Sequence, residues 1–157
     1  IDLSDYPHMR CLVTNSYGMN SLNLGSSTDY EVLDLSLPDD MTTLDVSKMP
    51  SLRSLSVWYC NLENVNIQHC PLMDFINIAD CPVASLDFSN AAKLKKAVIS
   101  GTDVTSLDFS NCPRLGLLDC RYNNKLEYVV LVEGTCSTLQ TGPKSVDVRY
   151  VAAPSEN

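Results

Sequence analysis

The side chains able to do chemistry in this sequence recur at fixed intervals. Asp2, Asn23, Asp45, Asn66, Asp87 and Asp108 follow one another in steps of 21 or 22 residues. Stacked one above the next, such carboxylates would repel and would welcome a hard cation or a glycan. The two asparagines already relieve that repulsion. Two places further on stand Ser4, Gly25, Ser47, Gln68, Ser89 and Ser110, which favour a polar ladder satisfying local backbone amides. The G-G-x-G-x-D pattern of calcium-binding β-rolls is absent. No metal is expected.

Seven cysteines are present. Cys60 and Cys81 share one place in the period, Cys70 and Cys112 share another, and Cys120 takes a core strand place. They read as buried thiols acting as small hydrophobes. A bridge between Cys60 and Cys81 fits the Cα range for a disulfide, although parallel side-chain vectors would strain it. No C-x-x-C occurs and His69 has no ligand pair nearby, so zinc is not expected. The histidines, His8 and His69, stand some three periods apart, so no Ser–His or Cys–His pair is expected either. G-x-S-x-G, H-E-x-x-H and phosphate-loop motifs are missing. The sequence reads as non-enzymatic and without a cofactor; the enzymatic alternative is a carbohydrate-active β-solenoid using carboxylates such as Asp45 and Asp87.

What must position these residues is a repeat. Starts fall at Ile1, Leu22, Leu44, Val65, Leu86 and Leu107, with a partial seventh at Val129. A fixed period of this length marks a solenoid. Apolar residues fill places 1, 3, 9, 12, 14 and 19 or 20; place 9, for example, holds Met9, Tyr30, Leu52, Met73, Leu94 and Leu115. Short alternations such as Leu55-Ser-Val57 and Leu107-Asp-Phe109 predict a strand on each side of every coil. Pro7, Pro50, Pro71 and Pro113 share place 7, where they fix a turn and break any helix. Residues 1–132 form the solenoid in this reading, 133–151 a C-terminal cap with a Gly142-Pro143 turn and an edge strand over 145–150, and 152–157 a tail. The first coil has no cap of its own, so preceding chain or a partner is expected to cover Ile1, Leu3, Met9 and Leu12. With 45% apolar residues the 157-residue chain can form a dry core, and no apolar run is long enough to span a bilayer. A net charge of −8 argues against nucleic acid as a partner.

Leu52 to Val65, L-R-S-L-S-V-W-Y-C-N-L-E-N-V, resembles the leucine-rich repeat consensus, with Asn123, Cys60, Cys81 and Thr102 at its Asn/Cys place and Tyr17 and Pro38 departing from it. Leu107 to Leu115, L-D-F-S-N-C-P-R-L, is similar to the second half of the short 21-residue repeats of bacterial surface proteins, including internalin J-like proteins with a cysteine ladder. The resemblance implies an α/β fold by convention that is strand-dominated here: a right-handed solenoid of six to seven coils, with turns or 3₁₀ segments and little α-helix. It also implies an extracellular or cell-surface binding or adhesion module, with a protein ligand first and a glycan second. A spacer without a ligand is the alternative.

Leucine-rich repeats usually bind on the outward face of the first strand. Place 11 there carries Cys11, Val32, Ser54, Phe75, Lys96 and Leu117, and place 13 carries Val13, Asp34, Ser56, Asn77, Val98 and Asp119. Asn15 and Ser16 open the next two columns, which continue to Trp58, Tyr59, Asp80, Arg121 and Tyr122. The single tryptophan, Trp58, is expected to project outward beside Tyr59 and near Phe75, and exposed aromatics beside cations are favoured anchors. Trp58, Tyr59, Phe75, Asn77, Asp80, Lys96, Arg121 and Tyr122 are therefore the candidate ligand-binding residues.

Overall fold

The computed structural model describes residues 1–14, 19–142 and 145–154. Among these residues there is no helix, and twelve strands form three parallel sheets. No helix is long and apolar enough to cross a membrane. Asn15, Ser16, Tyr17 and Pro143 lie outside the described residues.

The first strand of each coil builds one continuous seven-stranded sheet. Its members, in order of pairing, are β1 (Cys11–Val13), β2 (Val32–Leu35), β4 (Ser54–Trp58), β6 (Phe75–Ala79), β7 (Lys96–Ser100), β9 (Leu117–Asp119) and β11 (Thr138–Gln140). Register follows the period without a slip: Leu33, Leu55, Ile76, Ala97 and Leu118 are successive partners, all wholly buried. A one-residue slip would turn every one of them to solvent, so burial itself fixes the register.

The second side of the coil is broken. It contains an isolated Asp2–Asn23 bridge, the pair β3 (Thr43–Asp45) and β5 (Asn64–Asn66), and a three-stranded sheet. The three strands are β8 (Ser106–Asp108), β10 (Tyr128–Val132) and β12 (Asp147–Val151). Leu86-Asp87-Phe88 keeps the apolar pattern but forms no strand. Segment 133–151 makes one more circuit, adding β11 beside β9 and β12 beside β10, both parallel.

Turns of one kind follow the second strand. The side-chain oxygens of Asp2, Asn23, Asp45, Asn66, Asp87 and Asp108 each accept the backbone N–H two residues on, at 2.9–3.1 Å. This is the polar ladder expected from sequence. Its oxygens do locally what a backbone turn would otherwise require. Two four-residue turns come next, as in Met49 N–H to Val46 O and Leu52 N–H to Met49 O. They use the amides of places 6 and 9. Proline at place 7 therefore removes no bond from the coil, which explains why it recurs there.

Tyr30, Leu52, Met73, Leu94 and Leu115 fill one core column, and Phe88 stacks on Phe109 with ring centroids 4.5 Å apart. The first coil and the start of the second are looser: Met9, Leu12, Leu22 and Leu24 are only partly buried, and Ile1 and Tyr6 are exposed.

Candidate functional site

The outward face of the seven-stranded sheet carries the candidate residues in three groups. At the start of the strands, Phe75 pairs with Lys96, whose Nζ lies 5.3 Å from the Phe75 ring centroid. That is within cation–π range. In the middle, Asn77 stands beside Ser56 and donates through Nδ2 to the Ser56 hydroxyl at 3.0 Å. At the far end stand Trp58, Tyr59, Asp80, Arg121 and Tyr122.

Sequence reasoning set Trp58 near Phe75, and the structure separates them. Trp58 pairs with Ala79, while Phe75 pairs with Ser54 four residues earlier on the same strand. At about 3.3 Å per residue, the two rings are anchored roughly 13 Å apart along the strand direction. Trp58 is also half-buried rather than fully displayed.

The most exposed aromatics owe their position to backbone conformation. Tyr59, Asp80, Gly101 and Tyr122 follow one another at the end of the strands, all left-handed, with φ of 51, 53, 61 and 63°. The amides of the first three donate to the next coil: Tyr59 to Ala79 O, Asp80 to Ser100 O and Gly101 to Arg121 O. The left-handed turn swings the side chain clear of the sheet while the amide stays in the ladder. Tyr59 and Tyr122 are consequently 73% and 67% exposed. For a residue with a Cβ this geometry costs about 1–2 kcal/mol. Gly101 avoids that cost, and it also makes room, because a Cβ there would sit 2.4 Å from Asp80 Oδ1.

Electrostatics divide the charged members. Arg121 is held by Asp119, with Nε donating to Oδ1 at 2.9 Å and the terminal nitrogen to Oδ2 at 2.7 Å. Residues two apart on a strand share a face, so the pair forms within one strand end. These bonds keep the Asp119 carboxyl below its ordinary range and raise Arg121. The guanidinium also lies 5.8 Å from the Tyr122 ring centroid. Arg121 thus braces the tyrosine while remaining partly exposed.

Two acceptors lie in the middle of this face, one on the candidate Asn77 and one on Asp34, which sequence did not single out. Asp34 Oδ1 and Asn77 Oδ1 are buried and have no hydrogen-bond partner among the described residues. They flank Ser56 in one register row, Asp34–Ser56–Asn77. Burial pushes the Asp34 carboxyl up, partly offset by the Ser56 hydroxyl. Neighbouring polar residues in place 13 were the available signal. No group of three or more His, Cys, Asp or Glu is placed to hold a metal ion among the described residues. A cleft of about 270 Å³ lies elsewhere, between Gly25–Thr28 and Asp45, Lys48 and Met49.

No protein-family model matches the chain, and no curated protein matches it. A solved structure does. It is the functional domain of InlJ from Listeria monocytogenes, described as including a cysteine ladder, with a TM-score of 0.64 and 21% identity. The chain folds as an internalin-like leucine-rich repeat solenoid. The match covers 83% of this chain and 36% of that one, so this chain spans about a third of the InlJ domain's length. At this identity the likeness concerns the fold, including its strand-dominated coils. Cys60 and Cys81, one coil apart, are this chain's own short sulfur column.

Proposed function

We propose that the protein is a non-enzymatic binding module whose ligand, a protein, docks on the far end of the seven-stranded sheet. The observation that carries this reading is the column of left-handed residues, which displays Tyr59 and Tyr122 beside Asp80 and Arg121 on a continuous sheet. A strained backbone that exposes aromatics supports a role in contact, because packing alone would favour glycine at all four positions. Tyrosine offers large contact area at low entropic cost. Resemblance to short-repeat bacterial surface proteins supports secretion or display at a cell surface, and an adhesion role. The same reading has the apolar edge of the first coil, with Met9 and Leu12, covered by further chain or a partner.

The test is a screen of the immobilised chain against extracellular protein and glycan arrays, repeated with Tyr59→Ala/Tyr122→Ala. A protein ligand is expected, with affinity lowered about 30-fold or more in the variant, as for paired hot-spot aromatics. The melting transition should not fall. Undiminished capture by the variant sinks this face, a glycan-only result moves the ligand class, and no ligand at all favours the spacer.

A further inference from the structure

We propose that Cys60 and Cys81 are a redox-active pair, which a disulfide oxidant converts into a covalent bridge between adjacent coils. The inference stands apart from the binding reading and rests on packing. Both residues follow a left-handed position, Tyr59 or Asp80, and the repeat register places them one coil apart. Their sulfurs lie 2.7 Å from each other, inside ordinary sulfur contact and short of the roughly 2.05 Å of a bond. Adjacent parallel strands hold Cα atoms about 4.8 Å apart, within the disulfide range of about 4.4–6.8 Å. The strain expected from parallel side-chain vectors is therefore already overcome by the turn, which aims the two sulfurs at one another.

Chemistry sets this pair apart from the buried thiols Cys70, Cys112 and Cys120. Cys70 is pushed up to about 11 and Cys112 and Cys120 to about 12, in each case first by burial. Such thiols stay protonated and inert. Cys60 moves the other way, because the Cys81 thiol donates to it, with the Leu62 amide assisting, against the effect of burial. Cys81 is raised as the proton holder. Cys70 and Cys112 share a column but stand two coils apart, with Ala91 between them. Cys11 is exposed on the edge strand β1.

With glutathione disulfide as oxidant, the Cys60 thiolate attacks one glutathione sulfur and expels the other half as a thiolate. Cys81 gives up its proton and displaces the second glutathione, so that one protein S–S bond forms and two reduced glutathiones leave. The protein sulfurs lose two electrons and two protons, and the glutathione disulfide gains them. Little else changes. The Cys81 sulfur also lies 3.2 Å from Ala79 O, a second acceptor within reach of its one hydrogen. That carbonyl keeps the Tyr59 amide, at 3.0 Å, after the thiol hydrogen is gone. The bridge would lie directly beneath Tyr59 and Asp80.

The test equilibrates the folded chain in glutathione buffers of rising oxidised fraction, followed by an acid quench and alkylation of remaining thiols in denaturant. Cleavage after Glu63 and Asp74 puts Cys60, Cys70 and Cys81 on separate peptides. The expected product is a Cys60–Cys81 linked peptide, lighter by two hydrogens than its parts and reopened by dithiothreitol, with Cys70, Cys112 and Cys120 alkylated throughout. Oxidation should also raise the melting midpoint by several degrees in the native chain and leave Cys81→Ser unchanged. Full alkylation of Cys60 and Cys81 at every buffer ratio overturns the proposal. So does linkage of either residue to Cys70 or to a second molecule in place of its partner.

Discussion

Cys60, Cys81, Thr102 and Asn123 occupy one buried turn column in four consecutive coils, and its two ends meet the same requirement with different chemistry. Each coil turns inward after its first strand, which leaves amides and carbonyls in need of partners away from water. At one end a single amide side chain meets the need. Asn123 Oδ1 accepts the Thr102 amide and hydroxyl, both at 2.8 Å, and Nδ2 donates to Ile99 O at 2.6 Å and Cys120 O at 3.0 Å. At the other end the groups are a sulfur pair and one thiol bond to Ala79 O. Thiols are weak donors and acceptors, so that end is held by packing. The amide end is rigid because its bonds are directional and cross from coil to coil. The sulfur end gives up polar cohesion, and in exchange its state can be changed by chemistry.

The comparison predicts unequal sensitivity. Asn123→Ala leaves the Thr102 amide and hydroxyl and the Ile99 and Cys120 carbonyls without their shared partner. At about 1–3 kcal/mol for each buried group left unsatisfied, discounted for relaxation, the loss should be about 3–4 kcal/mol. For a chain of this size that lowers the melting midpoint by roughly 10 °C. A loss below about 1 kcal/mol would mean that water replaces the asparagine, and the two ends would then differ in name only.

Cys81→Ala sits next in size. It removes one buried sulfur and leaves a small void, for a cost of about 1 kcal/mol in urea unfolding under reducing conditions. Should it match Asn123→Ala, the sulfur end would be a bonded element like the amide end. The contrast would be broken from the opposite side.

How much of this was legible beforehand follows the same division between packing and direction. Apolar places were readable because burial needs only a residue type at a period: Leu33, Leu55, Ile76 and Leu118 all lie in the core. The Asp/Asn ladder was readable because its bonds are local, reaching two residues along the chain. The left-handed column was not. Only Gly101 signals it, while Tyr59 and Asp80 hold the conformation with coil-to-coil bonds and Tyr122 follows in the same column. Trp58 and Phe75 were joined by sequence and are parted in the fold, since neighbouring columns in a repeat table can be strand ends in space. The circuit over 133–151 lost its leucine spacing, and only the pairing of β11 and β12 reveals it. The eight candidate residues were legible as types on one face. Their grouping, and the bond that commits Arg121 to Asp119, required coordinates.

The smallest predicted effect concerns the Asp/Asn ladder, where the chain already compares an amide with a carboxylate at one place. Asp45 and Asp87 are held below the ordinary carboxylate range by the hydrogen bonds of Ser47 and Ser89. A carboxyl lowered by folding stabilises the fold fully above its unfolded value of about 3.9, and that contribution fades as pH falls through the lower folded value. Asp34 has the opposite sign: burial raises it, so its protonation favours the folded chain as pH falls through that raised value. Asn23 and Asn66 form the same turn without a charge. Asp45→Asn/Asp87→Asn should therefore melt close to the native chain at pH 7, with a flatter loss of stability below about pH 4, read by thermal denaturation across pH. A marked loss at pH 7 would show that charge, and not the acceptor oxygen alone, holds these turns. An unchanged slope in acid would place the acid sensitivity at the other lowered carboxyls, Asp2 and Asp119, the latter bound to Arg121 on the binding face.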